Sequence, residues 1–175
     1  MERSVDTVVE RKINIRNSIA HMCRDIPNKH LLDADLCSAL IVYVEGLGRI
    51  RRLLSYQALP DEVDLDRLHS ACRIRGISVH IAKQSNSEAV EFLPMVPVHV
   101  LGHAQDLLCV VPGRAFTKKG DRIGRGGGTY DKFLASFPGI RTVGVAYPFQ
   151  ILDSIPTTFY DYAIQKVITV CEEFS

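Results

Sequence analysis

Apolar residues recur at helical spacing in four segments of this 175-residue chain. In the first segment, Val9, Ile13 and Cys23 fall on one helical face with polar residues between them, which is typical of an amphipathic helix. Glycines stand at the ends of the second and third segments, at Gly46 and Gly76, where a left-handed residue commonly closes a helix. The pattern therefore predicts helices at residues 8–23, 31–44, 64–75 and 130–137.

Short apolar runs separate these helices and predict strands. The most apolar run, Leu107 to Val111, ends at Pro112 and Gly113 and is typical of a strand buried on both faces of a parallel sheet. A less regular run at residues 90–100 is broken by prolines, and residues 84–88 are predicted to form a polar loop. Four further strands are predicted at residues 50–57, 77–82, 142–146 and 167–170.

Strands that alternate with helices favour right-handed βαβ crossovers around a parallel sheet. The sequence contains no internal repeat, low-complexity tract or linker. We therefore expect an α/β fold, with one domain over residues 1–175 built as a three-layer α/β/α sandwich around a mostly parallel sheet.

Composition and charge narrow the class of protein. Apolar residues make up 46% and charged residues 23% of the chain, as in an ordinary globular protein. The net charge of +1 gives no global basic field for nucleic acid, so we expect no nucleic-acid partner. Basic residues do gather at residues 49–52 and 114–125, which leaves local anion binding open.

The cysteines and the start of the chain predict a cytoplasmic protein. Five cysteines are widely spread without C-x-x-C spacing, and we expect them to be reduced thiols. The first ten residues are polar and lack an apolar signal region. No stretch approaches the roughly 20 apolar residues of a membrane span, so we expect no membrane partner. We also expect the protein to be a monomer.

A glycine-rich loop follows the most apolar strand and leads into the last predicted helix. The four glycines within residues 124–128 allow backbone N–H groups to approach an anion, and Arg122 and Arg125 add positive charge. Thr129 is the expected helix N-cap, and Asp131 would lie near the positive helix end or hold a hard cation. The loop is neither a Walker A motif nor G-x-G-x-x-G, so two interpretations remain open: phosphate binding, or a flexible surface loop before a capped helix.

Residues 112–134 carry the most specific motif. They follow the pattern P-G-x-A-F-D-x-x-G-x-R-L-G-x-G-x-G-Y-Y-D-x-[FY]-L without a gap, and in this they resemble the 5-formyltetrahydrofolate cyclo-ligase family, also called methenyltetrahydrofolate synthetases. The matching residues are Pro112, Gly113, Ala115, Phe116, Gly120, Arg122, Gly124, Gly126, Gly128, Tyr130, Asp131, Phe133 and Leu134. Residues 12–16, 54–64 and 155–161 are similar to further segments of the family and keep its order.

The resemblance implies an ATP- and Mg²⁺-dependent enzyme that acts on a reduced folate. Family members phosphorylate the formyl oxygen of 5-formyltetrahydrofolate, and ring closure through N10 then gives 5,10-methenyltetrahydrofolate, ADP and phosphate. Such chemistry depends on positioning and charge neutralisation more than on a protein nucleophile.

The same resemblance assigns residues to the site. For ATP it implies Lys12, Arg16, Arg122, Ile123, Gly124, Arg125, Gly126, Gly127, Gly128, Thr129 and Tyr130. For folate it implies Leu54 and Tyr56 as an apolar wall and Glu62 as an acceptor for the pterin N–H groups, together with Arg125, Gly126, Gly127, Gly128 and Thr129. Catalytic roles fall to Arg122, Arg125 and Asp131, and Mg²⁺ ligation to Asp131 and Asp161.

Several positions depart from the family pattern. Thr129 replaces the first Tyr of a pair, Thr117 replaces an Asp, and Gln165 stands where many members have a second metal-site Asp. The stretch between Ile81 and Asp106 is also short. One alternative is therefore a catalytically weakened relative that binds nucleotide or folate without turnover. Another, on fold analogy alone, is an enzyme like a sugar-phosphate isomerase or a CoA-transferase.

Overall fold

A computed structural model describes residues 2–83, 90–93, 95–96, 101 and 104–170 of the chain. The helices in these residues are α1 (Glu2–Met22), α2 (Lys29–Gly46), α3 (Asp66–Ile74) and α4 (Thr129–Ser136). The strands are β1 (Arg52–Tyr56), β2 (Ser78–Ala82), β3 (Phe92–Leu93), β4 (Leu107–Val110), β5 (Ala115–Phe116), β6 (Arg122–Ile123), β7 (Arg141–Val145) and β8 (Lys166–Ile168).

Six strands form one sheet in the order β3-β2-β1-β4-β7-β8. Neighbours from β2 to β8 run parallel, whereas β3 pairs antiparallel with β2 at the edge. In the centre of the sheet, Leu53 of β1 lies between Val79 of β2 and Leu108 of β4. Strands β5 and β6 form a separate antiparallel pair. The predicted mostly parallel sheet is confirmed.

Alternate residues of the central strands face opposite sides of the sheet, and both sides are buried. Leu53 and Leu108 pack with α2 and α3 on one face. Leu54 and Cys109 pack with Leu134 of α4 on the other face. Full burial of each such leucine stabilises the fold by about 1.5–3 kcal/mol relative to exposure. Helices on both faces of the sheet confirm the predicted three-layer sandwich.

Helix α1 begins earlier than predicted, and only part of its predicted apolar face is buried. Cys23 packs with Ile19 against the β5–β6 pair. Val9 and Ile13 are instead 47% and 45% exposed. Lys12 on its inner face is only 8% exposed. The apolar spacing misleads because α1 covers the small hairpin and the edge of a cavity, where polar residues are buried.

The segment predicted as a loop after β4 contains the β5–β6 hairpin. Gly120 lies in its turn with a positive φ of 96°. A Cβ at Gly120 would lie 1.9 Å from the carbonyl oxygen of Ile164, so only glycine fits this close approach. Two-residue strands are too short to carry a periodic pattern, and the sequence therefore does not predict them.

The other predicted elements are confirmed, with ends that shift by a few residues. The predicted strand at residues 90–100 reduces to β3, and part of it lies outside the described residues. The predicted polar loop at residues 84–88 lies wholly outside them. None of the helices in the described residues is long and apolar enough to cross a membrane.

The described cysteines are free thiols, as predicted, and all are buried: Cys23, Cys37, Cys72 and Cys109. Burial raises the pKa of Cys37 to about 11 and that of Cys109 to about 12. Both therefore stay protonated and unreactive near neutral pH. Cys171 lies outside the described residues.

Candidate active site

A cavity of about 490 Å³ opens at the carboxyl ends of β1, β2 and β4. Open α/β sheets commonly bind ligands at this edge, and the volume suits a small-molecule site. Its walls come from α1, the loop after β1, the loop after β4 and the glycine-rich loop before α4. The site residues inferred from the family resemblance line it with one exception: Lys12, Arg16, Tyr56, Glu62, Arg122, Ile123, Gly124, Arg125, Gly126, Gly127, Gly128, Thr129, Tyr130, Asp131 and Asp161.

Leu54 is the exception, and its assignment to the cavity wall is wrong. The residue lies inside β1, paired with His80 of β2 and Cys109 of β4. It is completely buried in the core on the α4 face of the sheet. Tyr56, at the carboxyl end of the same strand, does reach the cavity. Only the strand ends line the site, because the residues before them are covered on both faces.

Helix α1 places two cations on the cavity wall. Lys12 and Arg16 are four residues apart and share one face of the helix. The Nζ atom of Lys12 donates to both carboxylate oxygens of Asp161, at 2.6 and 2.5 Å. The Nε atom of Arg16 donates to the carbonyl oxygen of Gly124, at 2.8 Å. These contacts join α1 to the glycine-rich loop and to the C-terminal part of the fold.

The glycine-rich loop uses its glycines in two ways. Gly126 and Gly128 have positive φ angles of 115° and 65°, which residues with a Cβ rarely adopt. A Cβ at Gly124 would lie 2.7 Å from the Nη1 atom of Arg122, so glycine leaves room for that guanidinium. Helix α4 is capped by left-handed Gly128 and not by Thr129, which is its first helical residue. The predicted Thr129 cap is therefore wrong.

Arg122 and Asp131 form a buried ion pair at the floor of the cavity. The Nη2 atom of Arg122 lies 2.8 Å from Oδ1 of Asp131, and Nη1 donates to the carbonyl oxygen of Pro112 at 3.1 Å. The backbone N–H of Tyr162 also donates to Oδ1 of Asp131, at 3.0 Å. The Arg122 side chain is only 3% exposed, and its Nε atom has no hydrogen-bond partner among the described residues. A buried donor of this kind can donate a hydrogen bond to a ligand oxygen.

Three donor groups of the protein contact the carboxylate of Asp161. Lys12 binds both of its oxygens, and the backbone N–H and hydroxyl of Thr158 donate to Oδ2 at 2.5 and 2.9 Å. Burial raises the pKa of Asp161, but the hydrogen bonds from Lys12 and Thr158 outweigh it and bring the pKa below the ordinary value. Asp161 is therefore ionised at neutral pH.

Two acidic and two basic side chains form a network, two of which, Glu62 and Arg125, line the cavity. Asp61 lies 2.5 Å from Nη2 of Arg125 and 2.6 Å from Nη1 of Arg114. Glu62 accepts from Nε of Arg125 at 3.0 Å and from the backbone N–H of Leu59 at 3.0 Å. Burial raises the pKa of Asp61, but its contacts with the guanidinium groups of Arg125 and Arg114 bring the pKa below the ordinary value.

Two tyrosines complete the wall. Burial raises the pKa of both Tyr56 and Tyr130 well above the ordinary value, so both hydroxyls stay protonated. The hydroxyl of Tyr130 is buried and has no partner among the described residues. It therefore offers a neutral donor or acceptor to a ligand, while the rings supply apolar surface.

The predicted metal carboxylates reach the cavity but do not form a ready metal cluster. No group of three or more His, Cys, Asp or Glu side chains gathers as a metal site in the part of the chain that the structure describes. Asp131 and Asp161 are each paired with a cation. Gln165 does not line the cavity; it exchanges hydrogen bonds with Thr142 of β7, at 3.2 and 2.9 Å.

Sequence reasoning misses Thr158, which lines the cavity, and the pair of Asp61 and Arg114, which contacts the lining through Arg125. Asp61 precedes Glu62 directly, Arg114 occupies a variable position of the glycine-loop motif, and Thr158 lies within residues 155–161. Their position inside the matched segments is a signal that could have singled them out. Nothing in a linear pattern, however, links Asp61 with an arginine 64 residues away.

Comparisons with known proteins identify the family of this chain. The model of the 5-formyltetrahydrofolate cyclo-ligase family matches residues 60–170.

Three curated relatives carry the name 5-formyltetrahydrofolate cyclo-ligase. The protein of Mycolicibacterium smegmatis is 34% identical over 77 residues, covering 43% of this chain and 39% of the relative. The mitochondrial protein of Arabidopsis thaliana is 41% identical over 73 residues, covering 35% and 26%. The protein of Haemophilus influenzae is 38% identical over 56 residues, covering 31% and 30%. The matched region thus spans well under half the length of each relative.

Two solved structures share the fold. A 5,10-methenyltetrahydrofolate synthetase from Mycoplasma pneumoniae superposes with a TM-score of 0.75 at 22% identity, covering 90% of this chain and 97% of that one. The synthetase from Aquifex aeolicus superposes with a TM-score of 0.67 at 23% identity, covering 90% and 89%. At this identity the likeness shows the fold. Because the family model spans more than half of the chain, this protein belongs to the 5-formyltetrahydrofolate cyclo-ligase family.

Proposed function

We propose that this protein is an ATP- and Mg²⁺-dependent 5-formyltetrahydrofolate cyclo-ligase that produces 5,10-methenyltetrahydrofolate, ADP and phosphate. The observation that carries the proposal is the convergence of three distant segments on one cavity. Residues of α1, of the loop after β1 and of the glycine-rich loop, all inferred from the family resemblance, line the same space. Chance resemblance of separate motifs would not bring their residues together.

The cavity has the features of a triphosphate site. Lys12, Arg16, Arg122 and Arg125 line it, so four cations face a ligand that carries several negative charges. The unpartnered Nε atom of Arg122 is buried there. Residues 124–128 bring backbone close to the ligand space, where backbone N–H groups can bind phosphate oxygens. Arginine and lysine at this density favour a nucleotide over a neutral ligand.

Mg²⁺ fits the donor chemistry of the same wall. The ion prefers oxygen ligands and is commonly held by one or two carboxylates together with substrate phosphates. Asp131 and Asp161 would supply those carboxylates, after each gives up part of its present ion pair. When bound, the ion would neutralise phosphate charge during phosphoryl transfer.

The folate subsite is proposed on the other side, at Glu62 and Tyr56. A carboxylate can accept two N–H donors from the 2-amino-4-oxo ring of a pterin, and Glu62 lies at the cavity wall in the loop after β1. Tyr56 supplies an apolar ring beside it. Arg125 lies between the two subsites, since it pairs with Glu62 and belongs to the glycine-rich loop.

The side chains act in the reaction by positioning and charge. The formyl oxygen takes the γ-phosphoryl group from ATP, N10 then attacks the formyl carbon, and inorganic phosphate leaves. Lys12, Arg16 and Arg122 would hold the phosphates in line with the formyl oxygen and stabilise the charge that develops there. Because the phosphate is a good leaving group, no protein nucleophile is required.

The test uses purified, nucleotide-free protein and 5-formyltetrahydrofolate. Absorbance of methenyltetrahydrofolate should rise only when ATP and Mg²⁺ are both present, and ADP should form in a one-to-one ratio with it. Product without ADP, or ADP without product, would contradict the proposal.

A second candidate is a protein that binds the same ligands without turnover. The observation that favours it is the position of Gln165, which stands where many family members have an Asp and is tied to Thr142 away from the cavity. Calorimetry would then detect ATP or folate binding, whereas the coupled absorbance and ADP assays would stay at background.

A further inference from the structure

Asp61 joins three separate segments of the fold through a single carboxylate. It lies in the loop after β1, and its Oδ1 contacts Nη2 of Arg125 in the glycine-rich loop at 2.5 Å. Its Oδ2 contacts Nη1 of Arg114, which follows β4, at 2.6 Å. Each oxygen thus serves a different guanidinium, and the two arginines come from opposite ends of the β5–β6 hairpin.

Arg114 is the fixed end of this bridge. Its side chain is only 12% exposed. Its backbone N–H donates to the carbonyl oxygen of Ile123 at 2.7 Å, and its own carbonyl oxygen accepts from Nε2 of buried Gln150 at 3.1 Å. The Asp61 carboxylate is therefore anchored, through Arg114, to the packed part of the molecule.

Arg125 is shared between two acceptors. Its Nη2 atom contacts Asp61, while its Nε atom donates to Oε1 of Glu62 at 3.0 Å. The other oxygen of Glu62 accepts from the backbone N–H of Leu59. Both oxygens of the proposed pterin acceptor are thus engaged before the substrate arrives, and one of these partners is a guanidinium.

A folate that pairs with both oxygens of Glu62 would compete with Arg125 for Oε1. Without Asp61, the displaced guanidinium would lose its last carboxylate and would compete strongly for Glu62. With Asp61 present, Arg125 keeps one charge-assisted hydrogen bond throughout the exchange and stays beside the ligand. The carboxylate also keeps Arg114 paired, and an unpaired buried guanidinium would be costly.

We propose that Asp61 is a positioning residue of the folate subsite, which holds Arg125 so that Glu62 can exchange it for the substrate. The role rests on the proposed function, because it assigns Glu62 to a reduced folate. It requires Asp61 to act through Arg125, and a double-mutant cycle measures this directly. It also requires Asp61 to restrain the glycine-rich loop in the absence of any ligand.

The variants are Asp61→Asn, Arg125→Gln and the double variant, with Asp64→Asn as the matched control. Asp64 is exposed in the same loop, and its side chain accepts a hydrogen bond from the backbone N–H of Asp66 at 2.8 Å. Calorimetry with 5-formyltetrahydrofolate should show a Kd about fivefold or more higher for Asp61→Asn, with less than about a twofold further effect of this change in the Arg125→Gln background. Asp64→Asn should leave the Kd unchanged.

Hydrogen exchange without ligand gives the second readout. Amides of residues 124–128 should exchange faster in Asp61→Asn and in Arg125→Gln than in the parent or in Asp64→Asn, while the central strands keep their protection. Unchanged exchange in Asp61→Asn would overturn the inference, whatever the activity of the protein. An equal folate penalty with and without Arg125 would overturn it as well. A parent that binds no folate would refute the proposed function and with it this role for Asp61, whereas a changed exchange rate would still establish the restraint on the loop.

Discussion

The ammonium group of Lys12 lies 2.6 and 2.5 Å from the two carboxylate oxygens of Asp161, so residues 149 positions apart close one side of the cavity. A cation proposed for the triphosphate is thus paired with a carboxylate proposed for Mg²⁺. The pair formed by Arg122 and Asp131 repeats this arrangement at the cavity floor. In each pair the positive and negative charges compensate each other, and a bound ligand would replace these contacts.

Lys12→Met should weaken ATP binding and leave folate binding nearly unchanged. The variant keeps an unbranched side chain that is one atom shorter, and it removes the charge of a residue that is 8% exposed and lines the cavity. Loss of one charge-assisted contact costs about 1.5–3 kcal/mol, which corresponds to a Kd for ATP at least tenfold higher. Isothermal calorimetry with Mg²⁺ and ATP measures it.

Arg11→Met is the matched control for this variant. Arg11 precedes Lys12 in α1, but its side chain is exposed and does not line the cavity. It points about 100° away around the helix. Raising the ionic strength should weaken ATP binding more in the parent than in Lys12→Met, since fewer charges remain to be screened there. Equal affinities for ATP in Arg11→Met and Lys12→Met would show that α1 only packs against the site.

Glu62→Gln should raise the Kd for folate by about ten- to a hundredfold while the Kd for ATP changes little. The amide presents one donor where the carboxylate presents two charged acceptors to the pterin, a loss on the order of 1.5–3 kcal/mol. Glu45→Gln is the control, because Glu45 is exposed at the end of α2 and does not line the cavity. Similar losses for both substrates in Glu62→Gln would mean that Glu62 only shapes its loop.

The sequence predicts those parts of this fold in which burial imposes a pattern. Strand β4 is covered on both faces and therefore appears as a continuous apolar run. Helix α3 ends before Gly76, whose φ of 75° suits the residue that has no Cβ. The apolar positions of α1 mislead because its inner face borders the cavity, with Lys12 buried and Val9 exposed.

The site can be predicted only in part from the sequence, since tertiary contacts decide which residues reach the cavity and which of them pair. Three consecutive glycines precede α4, and the linear pattern does not say that Gly128 caps the helix in place of Thr129. Leu54 and Tyr56 belong to one strand, yet only the strand end reaches the cavity. The ion pairs that bridge the loops join residues far apart in the chain, as Asp61 and Arg125 do.

The stability of the protein should fall as the pH drops below about 6.5. His69 of α3 is buried, and its Nε2 atom lies 2.8 Å from the hydroxyl of Ser55 in β1. Burial lowers the pKa of His69 below its ordinary value of 6.5, and nearby Arg73 lowers it further, against smaller effects of Asp66 and Asp64. The unfolded chain therefore binds the proton first, and the free energy of unfolding falls by at most about 1.4 kcal/mol per pH unit.

Thermal denaturation between pH 8 and pH 5.5 tests this contribution. The pH dependence of the Tm should be less steep in His69→Gln than in the parent. His30→Gln, at an exposed position of α2, should keep the parental slope. A parental slope in His69→Gln would assign the acid sensitivity to other groups.

Asp131→Asn should both destabilise the fold and raise the Mg²⁺ concentration needed for ATP binding. The change removes the charge opposite Arg122, whose side chain is 3% exposed, and leaves a buried guanidinium without its counter-ion. An Asn still accepts a hydrogen bond, so we expect the free energy of unfolding to fall by about 2–3 kcal/mol, or the Tm to fall by roughly 5–10 °C.

A metal role for Asp131 adds a separate effect, since an amide is a weaker ligand for Mg²⁺ than a carboxylate. Calorimetric titration of Mg²⁺ at fixed ATP, at a temperature where parent and variant are both folded, isolates that effect. Asp153→Asn, at an exposed position that does not line the cavity, should change neither quantity. A lower Tm with an unchanged Mg²⁺ titration would make Asp131 the counter-ion of Arg122 alone and would leave Asp161 as the carboxylate proposed for the metal.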